Sequence, residues 1–233
     1  MINTNLPIVG IHPFTATDFP GRIAAIFFLG GCPFTCKYCH NSSIAWNKDW
    51  TSKVEQVNAF LETHQNFLDG VVLSGGEPTQ YGDIERLCVK IQAMGLQVAL
   101  HTNGYYPDTL SKLINGSLVN YLAMDVKAPA YKYETITGRS NSAERATESI
   151  KQIIQYGIEY EFRTTYHPDL LTHKDMFLLM DELYTLGATT YYIQRFQPTG
   201  VEDINLVKRG QNVKIPADIC EYGKKLFPTF GIR

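Results

Sequence analysis

Residues 23–41 of this 233-residue chain read IAAIFFLGGCPFTCKYCHN and join an apolar strand to a cysteine-rich loop. The run 23–29 is continuously apolar and of strand length, which is typical of a strand covered on both faces. The loop after it holds three of the five cysteines of the chain, Cys32, Cys36 and Cys39. Thiolate sites that only hold a metal usually have four protein ligands, so three cysteines in one loop raise the question of what the fourth ligand is.

Composition excludes several classes of protein. Hydrophobic residues make up 44% and charged residues 19%, and the net charge of −2 is unlike that of a basic nucleic-acid-binding protein. No apolar run reaches the roughly 18 residues of a membrane helix, and the opening residues lack the pattern of a signal peptide. We therefore expect a cytoplasmic protein with no nucleic-acid or membrane partner, in which clustered cysteines serve as metal or redox ligands rather than form disulfides.

Five further β-rich runs alternate with helical patterns along the chain. They end in SGGEP (74–78), HTNG (101–104), MDVK (124–127), FRTTYHP (162–168) and QRFQP (194–198). Strands separated by helices pair in parallel through right-handed crossovers. Six such units predict an α/β fold, an incomplete (β/α)6 TIM-like barrel. We expect a single domain over 1–233, with a core of about 20–198 and a C-terminal extension at 199–233.

Helical periodicity and capping signals set the expected helices. Ser52 with Glu55, and Thr172 with Asp175, have the spacing of capping boxes. The apolar stripes are Val54, Val57 and Leu61; Ile84, Leu87, Cys88 and Ile91; Ala146, Ile150, Ile153 and Ile154; and Met176, Leu179, Met180 and Leu183. Further helices are expected from Pro107 to about Ile114 and near Pro216–Leu226, after an irregular polar stretch. Cys88 and Cys220 lie within helices and are predicted to be packing residues.

The unusual residues all follow strands. The carboxyl ends of parallel strands meet at one rim, where α/β proteins form their active sites. The cysteine loop, the glycines after the second strand and the polar strand ends are therefore predicted to converge.

Two metal centres fit the cysteine spacing taken alone. In a [4Fe–4S] cluster, three thiolates would leave one iron open to an external ligand. In a structural zinc site, His40 would complete a set with the three cysteines.

The motifs taken together resemble a known family. CPFTCKYCH (32–40) resembles the CxxxCxxC signature of the radical S-adenosylmethionine (SAM) enzymes, and SGGEP resembles their glycine-rich motif after the second strand. With TDFPG (17–21), HTNG, YLAMDVKAP (121–129) and YEFRTTYHP (160–168), they resemble the activating enzymes of anaerobic ribonucleoside-triphosphate reductase. The activases of pyruvate formate-lyase are similar at a greater distance. The resemblance runs from about Ile11 to Pro198 and implies the radical SAM fold.

The resemblance implies a role for each motif. Cys32, Cys36 and Cys39 would hold one [4Fe–4S] cluster, with SAM bound at the open iron and cleaved reductively to methionine and a 5′-deoxyadenosyl radical. The implied SAM contacts are Gly75, Gly76 and Glu77 at the methionine moiety, Tyr38 near the adenine, Asn103, Asp125 and Lys127 at the ribose and carboxylate, and Arg163 at the carboxylate or the partner. His167 and Gln197 are weaker candidates, and His101 stands where related activases often have an acidic residue. TDFPG either contacts the partner or forms a tight turn before the first strand.

The implied activity is formation of a glycyl radical on anaerobic ribonucleoside-triphosphate reductase, with a flavodoxin or ferredoxin as electron donor. Two enzyme alternatives share the motifs: activation of another glycyl-radical enzyme of the pyruvate formate-lyase type, and radical chemistry on a small molecule or nucleobase. A non-enzymatic iron–sulfur or zinc-binding module is the alternative from another class.

Overall fold

A computed structural model of the protein describes residues 2, 4–47 and 49–233 and contains one eight-stranded sheet. The strands follow one another in chain order; β1 pairs antiparallel with β2, and every later pair is parallel. The bounds are β1 Ile8–Thr15, β2 Ala24–Leu29, β3 Gly70–Gly75, β4 Gln97–Thr102, β5 Tyr121–Asp125, β6 Glu159–Tyr166, β7 Thr190–Arg195 and β8 Thr229–Ile232. Since β1 and β8 are the two edges, the barrel is incomplete and open.

The six predicted parallel strands are β2–β7, which confirms the incomplete α/β barrel. The sequence patterns missed the two edge strands. Gly10 and Pro13 interrupt β1, which is partly exposed and therefore lacks a continuous apolar run. The other missed strand, β8, has only four residues, TFGI, and joins the segment 199–233 to the sheet.

Helices occupy the connections between the parallel strands. Within the described ranges they are α1 Ser42–Ala45, α2 Val54–His64, α3 Ile84–Gln92, α4 Pro107–Asn115, α5 Ala130–Thr137, α6 Ser142–Tyr156, α7 His173–Thr185, α8 Ile204–Gly210 and α9 Ala217–Leu226. The predicted stripes face the core, although Val54 and Ile154 are only half-buried. The polar stretch expected to be irregular contains α8, which begins at an Asp203 cap. None of the described helices has both the length and the apolar character needed to cross a bilayer.

One predicted capping box is confirmed and the other is wrong. The Thr172 hydroxyl accepts from the Asp175 amide, and the Asp175 carboxylate accepts from the Thr172 amide, at the start of α7. At α2 the cap position is Lys53, and the Ser52 hydroxyl instead donates to the Leu6 carbonyl at 3.1 Å. Tertiary contact with the chain before β1 has replaced the local cap.

The lower end of the barrel is filled by the TDFPG segment. Phe19 is fully buried, and its ring lies 5.7 Å from that of Tyr121. Val72 and Ala99 belong to the same interior cluster, while the Arg22 guanidinium lies 4.6 Å from the Phe19 ring centre. The segment therefore makes the turn into β2 and also closes the barrel floor.

Replacing this floor residue should destabilise the protein. Phe19→Ala is expected to lower the free energy of unfolding by about 3–5 kcal/mol, because it leaves a cavity between strands that cannot collapse onto it. Phe67→Ala, at a 76% exposed phenylalanine, is the matched control and should change stability by less than about 0.5 kcal/mol. Chemical denaturation of both variants checks this, and equal small changes would contradict the floor role.

Candidate active site

The cysteine loop, residues 30–41, is held on several sides by backbone contacts. The Gly31 amide donates to the Ile44 carbonyl at 3.0 Å, and the Thr35 amide donates to the Thr137 carbonyl at 2.8 Å. The Trp46 indole donates to the Phe34 carbonyl at 2.8 Å. The loop after β2 is thus tied to α1 and to the end of α5, which fixes its path over the barrel.

A cavity of about 470 Å³ lies beneath this loop, within the range of about 300–1,000 Å³ that is typical of small-molecule sites. The predicted site residues that line it are Cys32, Cys36, Tyr38, Cys39, Gly75, Gly76, Asn103, Asp125, Lys127 and Arg163. They come from the carboxyl ends of β2–β6 and the loops after them. The predicted convergence at one rim is confirmed.

The three thiols share this cavity and are largely buried. Burial raises the pKa of Cys32 to about 12 and that of Cys36 to about 11, and it also raises the pKa of Cys39. The side-chain amide nitrogen of Asn103 lies 3.6 Å from the Cys32 sulfur and donates to it. Buried thiols ionise when a bound metal supplies positive charge, so this environment suits metal ligation better than thiol nucleophilicity.

The other cysteines do not contribute. Cys88 is fully buried on α3, as predicted, and Cys220 is half-buried on α9. Neither lines the cavity.

The glycines after β3 are required by loop-to-loop contact. The Gly76 amide donates to the Leu29 carbonyl at 2.8 Å, and the Glu77 amide donates to the Gly31 carbonyl at 2.7 Å. A methyl group on Gly76 would overlap the Gly31 carbonyl oxygen, and Gly75 has a φ of +116° beside Leu29. The motif therefore joins the cysteine loop to β3 while also lining the cavity.

Glu77 is placed differently from the sequence-based expectation. It is fully buried and does not line the cavity. Its carboxylate accepts from the Thr79 amide at 3.0 Å, the Thr79 hydroxyl, the Thr102 hydroxyl at 2.8 Å and the Asn103 amide at 2.6 Å. Burial raises its pKa despite these donors. Glu77 thus braces the ends of β3 and β4 against each other instead of reaching toward a ligand in the cavity.

A charged wall formed by Asp125, Lys127 and Arg163 faces the cavity. Lys127 Nζ lies 2.9 Å from Asp125 Oδ2, and Arg163 Nε lies 3.0 Å from Asp125 Oδ1. Burial disfavours the Asp125 carboxylate, but the two cations outweigh it and hold its pKa below the usual range. Likewise, burial opposes the Lys127 charge, and Asp125 raises the lysine pKa well above its ordinary value. The wall is charged at neutral pH and offers donors to an anionic or hydroxyl-bearing ligand.

Tyr38 lies against this wall. Its ring centre is 5.7 Å from Lys127 Nζ, and the side chain is 7% exposed. Its buried hydroxyl has no hydrogen-bond partner among the described residues.

The deep end of the cavity is formed by His101 and Asp18. His101 Nε2 lies 3.0 Å from the Asp18 carbonyl oxygen, which can only accept, so Nε2 carries the proton. Burial, reinforced by the charge of Arg163, lowers the pKa of His101 to about 4. The ring is therefore neutral at pH 7 and contributes polarity without charge.

Other polar residues of the cavity were missed or misassigned. Thr165 and Gln194 line it, whereas Gln197 does not, and Thr165 follows Arg163 at the strand period of two. His167 is fully buried away from the cavity and contacts the Leu206 carbonyl and the Asp169 amide. The alternation of side-chain directions along β6 and β7 is the sequence signal that could have identified Thr165 and Gln194 as cavity residues.

Comparison with known proteins decides the family. The model of the radical SAM superfamily matches residues 26–176, which is more than half of the chain. The chain belongs to the radical SAM superfamily. A Methanocaldococcus jannaschii protein, provisionally named a glycyl-radical enzyme activating enzyme, is 30% identical over 84% of this chain and 82% of its own length. A second protein of that organism with the same provisional name is 35% identical over 57% of this chain and 50% of its own.

Solved structures agree on the fold of this radical SAM protein. A radical SAM methyltransferase from Sphaerobacter thermophilus superposes with a TM-score of 0.64 at 15% identity. The match covers 92% of this chain and 67% of the methyltransferase.

The cavity suits the cofactors of the superfamily. Family membership implies a [4Fe–4S] cluster and SAM, and the soft donor set of Cys32, Cys36 and Cys39 matches the thiolate ligation of such clusters. Within residues 2, 4–47 and 49–233, no three His, Cys, Asp or Glu side chains converge as ligands of one metal ion. In the same cavity, the charged wall complements a ligand that carries amino, carboxylate and hydroxyl groups.

The glycine contact yields a testable outcome. Gly76→Ala should force the loops at Gly31 and Gly76 apart and remove most of the iron and sulfide bound after anaerobic reconstitution. Gly82→Ala is the matched control, since an added methyl group there meets no atom within 4 Å. Metal analysis of both variants provides the measurement. Full cluster loading in Gly76→Ala would contradict the bracing role.

His101 should make stability depend on pH. Because its pKa is lowered from 6.5 to about 4, the unfolded chain binds a proton that the folded protein excludes between these values. Stability should therefore fall as pH decreases through this window, with a slope from this group of up to about 1.4 kcal/mol per pH unit. His101→Gln should flatten the pH dependence of the free energy of unfolding between about pH 4 and 6.5. Above pH 7 the curves of the variant and of wild type should run parallel. Denaturation curves at several pH values test this, and identical slopes for both proteins would refute it.

Proposed function

We propose that this protein is a glycyl-radical enzyme activase that acts on anaerobic ribonucleoside-triphosphate reductase. The observation that carries the proposal is that a three-cysteine loop and the charged wall line one cavity. Relatives provisionally named as glycyl-radical activating enzymes support the activase class. The choice of reductase rests on the motif resemblance from TDFPG to YEFRTTYHP.

Each group of the cavity has a proposed task. Cys32, Cys36 and Cys39 would hold the cluster, which when bound supplies the electron for cleavage of SAM to methionine and a 5′-deoxyadenosyl radical. Gly75 and Gly76 line the cavity and would offer their backbone groups to the methionine moiety.

The charged wall orients the rest of SAM in this proposal. Lys127 and Arg163 donate toward its carboxylate, and Asp125 and Asn103 hydrogen-bond the ribose hydroxyls. Tyr38 contributes its ring and adjacent backbone near the adenine. Because the wall is already charged and paired, it needs little rearrangement when SAM binds.

The open barrel favours a protein segment as substrate. With β1 and β8 unpaired to each other, the sheet leaves a side through which a loop of a larger protein can approach the cavity. A glycine in that loop suits hydrogen abstraction, since no side chain obstructs its Cα and both adjoining amides stabilise the product radical. A flavodoxin or ferredoxin is the proposed electron donor.

An anaerobic assay tests the proposal. The reconstituted protein, SAM, a reductant and the reductase are expected to give the doublet EPR signal of a glycyl radical together with 5′-deoxyadenosine. Cys36→Ala should lose cluster, cleavage and radical together, whereas Cys88→Ala, buried on α3 away from the cavity, should retain all three.

The outcome also separates the alternatives. SAM cleavage with a radical on a pyruvate formate-lyase type enzyme, and none on the reductase, would reassign the partner. Cleavage coupled to a small molecule without any protein partner would replace the activase proposal. Turnover retained in Cys36→Ala would refute the ligand assignment.

A further inference from the structure

The barrel interior contains a carboxylate that the proposed chemistry does not use. Glu161 on β6 is 2% exposed and is placed opposite Ala123 of β5, one layer beneath the charged wall. Burial of an unpaired carboxylate is costly, so an ionised Glu161 requires partners. Its surroundings show which groups supply them.

Arg233, directly after β8, is the close partner of Glu161. Its Nη1 lies 2.6 Å from Glu161 Oε1, and its guanidinium stacks 3.9 Å from the ring centre of Tyr192. The Arg233 backbone is fixed as well, because its amide donates to the Ile193 carbonyl and its carbonyl accepts from the Arg195 amide. The arginine is therefore directed into the barrel from the edge strand.

Arg163 lies between two carboxylates. Its Nε donates to Asp125 at 3.0 Å on the cavity side, while its Nη1 is 3.8 Å from the Glu161 oxygen that Arg233 already occupies. The 3.8 Å separation exceeds hydrogen-bond distance. Arg163 is thus bonded toward the cavity and only loosely attracted toward the barrel interior.

We propose that Arg233 is a positioning residue: by pairing with Glu161, it keeps Arg163 directed into the SAM cavity. By satisfying Glu161 from the far side, Arg233 prevents this carboxylate from drawing Arg163 away from Asp125. The inference rests on the proposed role of Arg163 in SAM binding and extends it to Arg233, which lies outside the cavity lining.

Removal of Arg233 would leave Glu161 with Arg163 as its nearest cation. A guanidinium turned to meet that buried charge would give up its Nε contact with Asp125 and its position in the cavity wall. Removal of the Glu161 charge in the same protein abolishes this attraction. The two substitutions together should then restore the wall.

A double-mutant cycle measures the effect as SAM affinity. In anaerobically reconstituted protein, Arg233→Met is expected to raise the dissociation constant of SAM about tenfold at unchanged stoichiometry, the effect of losing one directed contact. In Glu161→Gln alone, the dissociation constant of SAM should stay within about twofold of wild type. The double variant should bind SAM about as tightly as Glu161→Gln.

Arg22→Met provides the matched control. It breaks the 3.1 Å Arg22–Glu159 pair, which also involves β6 but lies at the exposed lower end of the barrel. SAM affinity should be unchanged in this variant. Thermal denaturation of all variants shows whether each is folded at the temperature of the binding measurement.

The results separate this inference from the function on which it rests. The positioning role alone would be overturned if Arg233→Met bound SAM as tightly as wild type. It would also be overturned if the double variant bound SAM as weakly as Arg233→Met. Failure of the wild-type reconstituted protein to bind SAM would overturn the proposed function and the positioning role with it.

Discussion

The site depends on the direct backbone contact between the loops after β2 and β3. Two amides, those of Gly76 and Glu77, donate to the carbonyls of Leu29 and Gly31, and this close approach leaves no space for a side chain at Gly76. Glu77 then ties the same loop to the end of β4 through Thr102 and Asn103. These hydrogen bonds, together with those that tie the loop to α1 and α5, fix the position of the cysteines, because the cysteine loop has no regular structure of its own.

Charge organises the wall of the cavity formed by Asp125, Lys127 and Arg163. A carboxylate with one cation would be a weak arrangement at a surface, but the half-buried Asp125 contacts two cations, so that each loss would leave another charge unpaired. Arg163 also faces Glu161, which in turn pairs with Arg233, so that groups of opposite charge follow one another from the cavity into the barrel. The interior of this radical SAM protein is therefore apolar at its floor around Phe19 and ionic toward its rim.

Much of this arrangement could be predicted from the sequence, and the failures have physical causes. The six parallel strands and the convergence of their ends follow from apolar runs and from right-handed crossovers. Strands β1 and β8 carry no such signal, because edge strands are short or half-exposed and tolerate Gly and Pro. Glu77 was expected in the cavity because motif position does not reveal which way a side chain turns. Arg233 and Phe19 depend on contacts across the barrel that local pattern does not encode.

The filled floor also affects the order of events in catalysis. Because Phe19 and its neighbours occupy the lower end of the barrel, SAM and the proposed protein substrate cannot enter from below, and both have to use the rim and the open side between β1 and β8. A bound partner would then cover the route by which small molecules arrive and depart. Under the proposed function, such a barrel imposes a sequence: SAM binds first, the partner docks second, and methionine and 5′-deoxyadenosine leave only after the partner has released the rim.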